Sequence, residues 1–466
     1  MSNITYSTGL NILFFSIYVL IAIIIGWYSS KKESEEDFMI ANRKVKGILM
    51  ISTITAGMFD GAVLSIYIAY VYQYGFSAIW FFLGMSFGFL LFRYFAKKIK
   101  NKADELKAYS MPEYFYKILG KRNGIMFSIF LVVQFFGYLI INFILSGKVL
   151  AAIFTDMPYS VAVCVGGIII LSYLLLAGFK AVIRTDFYQL LIMILMTVTV
   201  ALFLIGKTPF SKSDFQLGNM GIGNMIGFFI IAGFGIFVAP DLWQRVFAAK
   251  DVKNLKRGLA FGAFLLPILA IIITVVGLAT KYHFPNINPE DALIIGFSML
   301  LPFVIKQLGT VMLYAVALSS SDTVTFVVSS IFTRDFKNYS TKYNDESMKK
   351  MTRLFMIIFV VVAVVVAIFY QKILALAFSL ASLNLALFPV VFGTLYWQLK
   401  EKAVFWSLLL ALLCVVLLSV TNSLTPETAA LSLPVALFSL IIFQFAIKKE
   451  KIATNHQMGD TKDIEY

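Results

Sequence analysis

The sequence predicts an all-α integral membrane protein of about thirteen transmembrane helices, arranged as a five-plus-five inverted repeat with two broken helices. Three observations predict the helical membrane class; the repeat is expected from the two interrupted spans. First, 60% of the 466 residues are hydrophobic and only 14% charged, with a mean hydropathy of +0.86, whereas soluble domains carry about 25% charged residues. Second, many apolar runs reach the roughly 20 residues needed to cross about 30 Å of hydrocarbon. Third, the basic residues cluster in alternate short connections.

Thirteen spans are expected at about 9–28, 48–73, 76–98, 123–153, 160–178, 186–206, 222–243, 257–280, 303–332, 352–370, 372–398, 403–421 and 427–447. With the N-terminus outside and the C-terminus cytoplasmic, 33 of the 39 Lys and Arg fall on the inner side, as the positive-inside bias requires. This placement explains the net charge of +14 without nucleic acid; no nucleic-acid-binding pattern accompanies it. The first run lacks the basic leader and small-residue cleavage site of a signal peptide and reads as a spanning helix. Residues 1–450 are expected to form one transmembrane domain, and 451–466 a polar cytoplasmic tail. Cys164 and Cys414 lie inside apolar runs as small hydrophobes, and His283 and His456 lack ligand-spaced partners. No organic cofactor is implied. Ser110-Met111-Pro112 is expected to start a short interfacial helix, and 281–302 to form an outer lid with its own half-helix.

Polar groups in hydrocarbon must be satisfied, so they persist where a cavity is lined. Four places stand out. In the second span, Gly57-Met58-Phe59-Asp60-Gly61 sets two glycines and a carboxylate near mid-membrane. A Gly-x-x-x-Gly pair alone can signify close helix packing, but packing does not explain Asp60. In the seventh span, Ala232-Gly233-Phe234-Gly235 interrupts the helix before Ala239-Pro240-Asp241. Interrupted helices at matching places in two halves point to a transporter's central site; the halves are about 48–206 and 222–398. Their odd number of spans inverts one against the other. At the fifth-to-sixth junction, Asp186 and Gln189 sit one turn apart at the head of an apolar run, where the Asp could also serve as a cap. In the ninth, Ser319-Ser320-Ser321-Asp322-Thr323 concentrates oxygen ligands suited to a hard cation such as Na⁺.

As an ordered set, these places resemble the sodium:solute symporter family. The resemblance also takes in Asp37-Phe38 with Arg43, Ser110-Met111-Pro112-Glu113-Tyr114, Lys180-Ala181-Val182-Ile183 with Thr185, Trp243-Gln244-Arg245 and Ser329-Ser330-Ile331-Phe332-Thr333-Arg334-Asp335. It implies a LeuT-like fold with a peripheral first span. It implies a Na⁺ site from the carbonyls of Met58, Gly61 and Val316 and the hydroxyls of Ser319 and Ser320. Asp186 would be a coupling carboxylate, and Asp322 with Thr323 a possible second ion site. Asp60 matches an aspartate of the proline-type branch.

The expected function is Na⁺-driven uptake of a small polar organic solute by alternating access at the cell membrane, with no oligomer required. The candidate pocket comprises Asp60, Gln134, Phe234 and Asn384. Two alternatives stay open: a proton-coupled symporter using Asp60, Asp186 and Asp322, and a transporter-like sensor. An enzyme is not expected, since no catalytic set of nucleophile, base or metal ligands is present. The eleventh span keeps Pro389 and Trp397 but lacks the family's glycines near Asn384, and no sugar-binding pattern is present. The solute therefore stays unnamed.

Overall fold

The computed structural model describes residues 2–29, 34–339 and 345–447. Lys31, Lys32 and the tail 451–466 lie outside them, as does the side chain of Ser319. Helix α1 (Ser2–Ser29) stands at the edge, packed on later helices along one side. Leu20, Ile24 and Trp27 remain exposed on the other side, as lipid-facing residues do. A short helix α2 (Glu35–Ile40), capped by Ser34, leads to Val45. Val45 exchanges backbone hydrogen bonds with Ala248 and Lys250.

The second span is two helices, α3 (Gly47–Ala56) and α4 (Gly61–Tyr74). Helix α5 (Trp80–Glu105) folds back along it, since the Phe82 ring lies 5.8 Å from Phe59 and 4.9 Å from Tyr67. Gly75, at φ +69°, makes this reversal, in a conformation that costs a glycine little. Helix α6 (Met111–Ile153) starts at the expected Ser110 cap and breaks at Gly120. Helix α7 (Tyr159–Ile205) contains the fifth and sixth spans, divided at Gly178, where a Cβ would meet the Phe38 ring at 2.5 Å.

The seventh span is α8 (Ile222–Gly235), a 3₁₀ turn over 236–238, and α9 (Pro240–Ala248), with a bend of 42°. There follow α10 (Val252–His283) and the outer half-helix α11 (Ala292–Met299). Then come α12 (Phe303–Tyr339), α13 (Asp345–Phe369) and α14 (Ile373–Gly393). The last are α15 (Glu401–Val420), α16 (Pro426–Ala429) and α17 (Ser432–Ala446). Glu290, in the stretch expected to form a lid, accepts the N–H groups of Ile373 and Leu374 and so caps α14.

Among the described residues, eleven helical segments are long and apolar enough to span a membrane, or twelve with the bent α8–α9 pair. The sequence count of thirteen differs by the stretch Gly61–Glu105, which composition reads as one segment and which reverses at Gly75. Helix α12 is the axis of the bundle. Its most apolar window is 94% buried, against 17% for α1. That burial places the polar Ser320–Thr323 stretch inside protein rather than against lipid, where it would be costly.

Candidate functional site

The site forms where the second span stops being helical. Gly57 to Asp60 leave the helix, and Asp60 turns to an extended backbone and caps α4 by accepting the Val63 N–H at 2.7 Å. Two close approaches hold the break. A Cβ on Gly57 would lie 2.4 Å from the Arg245 guanidinium, and one on Gly61 would lie 2.7 Å from the Ala317 backbone of α12. The glycine pair therefore serves close packing on two different partners. Met58 lies within the break, and its carbonyl accepts no backbone hydrogen bond among the described residues. Gly61 opens α4, next to α12.

A cavity of about 130 Å³ opens beside the break. One water needs roughly 10–15 Å³ by this measure, so the cavity admits a small solute. Its walls come from α4, α5, α6, the broken α8–α9 pair, α12 and α14. Asp60, Gln134 and Asn384 line it, together with Met58, Ser320, Thr323 and Asp241. Aromatic rings of Phe81, Phe135, Tyr138, Phe228 and Phe378 supply much of the rest. Phe234 is not in the lining; its ring lies tilted against Phe388 at 4.6 Å and meets Phe87 edge-on at 6.1 Å. The wall is formed instead by Ile231, Ala232 and Gly235. One helical step turns a side chain by about 100°, which puts residue 234 on the far face.

The serine-rich run divides between two faces of α12. Ser320, Thr323 and Val324 face the cavity. The Ser320 hydroxyl is buried near the Asp60 carboxylate and makes no hydrogen bond of good geometry among the described residues. Ser321 bonds back to the Ala317 carbonyl at 3.1 Å, the ordinary fate of a helical serine. Asp322 points away, accepting the Tyr173 hydroxyl at 2.9 Å, with Thr323 Oγ1 3.3 Å from its other oxygen. Val316 is fully buried one residue before Ala317, the closest approach to Gly61. Gln189, one turn from Asp186, belongs instead to the crevice among α1, α7 and α12 that Tyr18 and Tyr173 also line.

Asp186 lies elsewhere, in a buried ionic cluster. It accepts the Thr53 hydroxyl and lies 3.2 Å from Arg245. Arg245 also donates to the Thr53 carbonyl at 2.7 Å, to the Asp241 carbonyl at 3.0 Å and to the Asp241 carboxylate at 3.1 Å. One fully buried guanidinium thus joins α3, α7 and α9 at the edge of the break. Reading the sequence for polar residues inside apolar runs passes over Arg245, because it follows the span as loop residues do. The signal was its i, i+4 spacing from Asp241, which places both on one helix face. No group of three or more His, Cys, Asp or Glu able to hold a metal occurs among the described residues. The oxygens at hand are hydroxyls, carbonyls and single carboxylates, a donor set for a hard monovalent cation rather than a transition metal.

Comparisons with known proteins bear on the family and the fold. The sodium:solute symporter family model matches residues 38–411. The sodium/proline symporters of Staphylococcus aureus strains Newman and JH9 are each 24% identical over 365 residues, covering 74% of this chain and 71% of the relative. The fold matches that of a substrate-bound, outward-open Na⁺-coupled sialic acid symporter with a TM-score of 0.82, at 16% identity over 94% of this chain and 98% of the other. A nucleobase-cation-symport-1 family transporter matches with a TM-score of 0.55 at 12% identity, over 86% and 93% of the two chains. The chain belongs to the sodium:solute symporter family and couples Na⁺ to the movement of a solute across the membrane.

Proposed function

We propose that the coupling Na⁺ binds between the second and ninth spans, held by the carbonyls of Met58, Gly61 and Val316 and the hydroxyls of Ser319 and Ser320. The observation that carries this reading is the orphaned Ser320 hydroxyl, buried beside the break where Gly61 meets α12. A buried unpaired hydroxyl costs about 1–3 kcal/mol, and an ion that accepts its lone pair repays that. The Met58 carbonyl offers the same chemistry, and Gly61 and Val316 retain second lone pairs beyond their helical bonds. The solute occupies the adjoining cavity, against Asp60, Gln134 and Asn384. Asp186, anchored with Thr53 and Arg245, acts as a coupling carboxylate; Asp322 with Thr323 is the place for a second cation.

The cycle is alternating access, with the N-terminus outside. External Na⁺ binds first, fixes the broken segment and completes the solute cavity. A 100 mV potential supplies about 2.3 kcal/mol per charge, and a tenfold Na⁺ gradient about 1.4 kcal/mol. Together these sustain roughly 500-fold accumulation per Na⁺. The test is Na⁺-dependent thermal stabilisation of the purified protein. Replacing Ser319 and Ser320 together with Ala raises the Na⁺ midpoint tenfold or more; an unchanged midpoint sinks the assignment. A protein stabilised or driven equally well by a pH step in sodium-free buffer would instead be proton-coupled.

A further inference from the structure

We infer that the solute carries a protonated primary or secondary amine, seated against Asp60. This rests on the reading that the cavity beside the break is the solute site. Around the break, three carboxylates (Asp60, Asp186 and Asp241) are gathered with one guanidinium, that of Arg245. Arg245 is committed to Asp186 and Asp241. Asp60 has no cationic partner among the described residues, and no Lys or Arg lines the cavity. A carboxylate at this depth needs a cation or a strong donor. One Na⁺ leaves these three carboxylates and one guanidinium still net negative.

The unpaired polar atoms specify the form of that cation. The Gln134 Oε1 and Asn384 Oδ1 atoms are buried acceptors with no donor, and both residues line the cavity with Asp60. Asn384 Nδ2 faces the Gly235 carbonyl at 3.4 Å, so turning that amide around would set oxygen against oxygen. Three acceptors in one small cavity call for a group with two or three N–H donors. A primary or secondary ammonium has them; a quaternary ammonium, a sugar and a bare carboxylate do not combine positive charge with N–H. The rings of Tyr138, Phe135, Phe81, Phe228 and Phe378 suit an apolar body and favour a nearby cation.

The test uses purified full-length protein in Na⁺, with thermal stabilisation as the readout and matched probes. L-proline is set against cyclopentanecarboxylate, glycine against acetate, and ethylammonium against ethanol, with glycine betaine and glucose as further arms. At least one N–H ammonium probe stabilises the protein in Na⁺ but not in K⁺, and its amine-free partner does not. Whether the amino acids or ethylammonium act identifies a zwitterionic or a simple amine. Asp60→Asn keeps the helix cap, since Asn caps as well as Asp, yet raises that probe's midpoint tenfold or more. Gln134→Leu weakens the same probe. Stabilisation only by glucose, betaine or an amine-free acid overturns the inference, as does no response to any ammonium probe. An unchanged ammonium midpoint in folded Asp60→Asn also overturns it. Ala381→Trp fills the cavity and abolishes the response; an ammonium response that survives it refutes the cavity as the solute site, independently of the solute's chemistry.

Discussion

Asp60 and Asp186 stand on either side of the break in the second span, and they are partnered in opposite ways. Asp186 is held by Thr53 and Arg245, with every element around the guanidinium supplying an oxygen. Asp60 has backbone N–H groups, the nearby Ser320 hydroxyl and an open cavity, with no cation among the described residues. A buried charge whose partner is part of the protein builds structure. One whose partner is missing is available for something that comes and goes. The difference teaches where the working cation binds, and it separates the architecture of the break from its function.

The largest expected effect is on the structural side. Arg245→Ala leaves two buried carboxylates without their cation, which costs about 3–5 kcal/mol. Thermal denaturation in detergent reads this as a collapse of stability that Na⁺ does not rescue. Near-normal stability would mean that the cluster does not hold the break together and would dissolve the contrast. Next is Gly61→Val, which drives a branched side chain into the Ala317 backbone. Overpacking of this kind costs about 1–3 kcal/mol, and here it also parts the second and ninth spans, so Na⁺ stabilisation is lost as well. Retained Na⁺ stabilisation in a folded Gly61→Val protein would remove the second span from the ion site. Tyr173→Phe removes the one tyrosine hydroxyl given to Asp322 and costs about 1.5–3 kcal/mol, the range for a hydrogen bond to a charged group. The account expects it to leave the first Na⁺ midpoint unchanged. Smallest is Lys102→Ala, which breaks an exposed pair with Glu105 at 2.7 Å and changes stability by less than about 1 kcal/mol.

The fold was legible because membrane solvation writes it in long apolar runs and alternating basic loops, and because glycine and proline mark the breaks in the second and seventh spans. Asp60, Gln134, Asn384, Met58 and Ser320 meet at one place because polar residues in hydrocarbon have few other reasons to exist. What the sequence did not show was direction. Ser320 and Asp322 are neighbours in the chain and face different partners, a matter of helix rotation that a run of five polar residues conceals. Phe234 failed for the same reason, since in an all-apolar helix no polar stripe marks the inward face. Arg245 was hidden because it sits where loop charges normally sit, and only the fold carries it back beneath the break. The span count differs where an apolar run of 45 residues, Gly61–Glu105, turns at a glycine without any polar loop to announce it.

The most direct measurement is equilibrium binding of radioactive sodium to the purified protein, wild type against Ser320→Ala. If the ion sits between the break and the ninth span, the variant stays folded, by its unchanged melting temperature without Na⁺, and its Na⁺ midpoint rises tenfold or more. An unaltered midpoint in that folded variant would contradict the account and move the coupling ion away from the cavity.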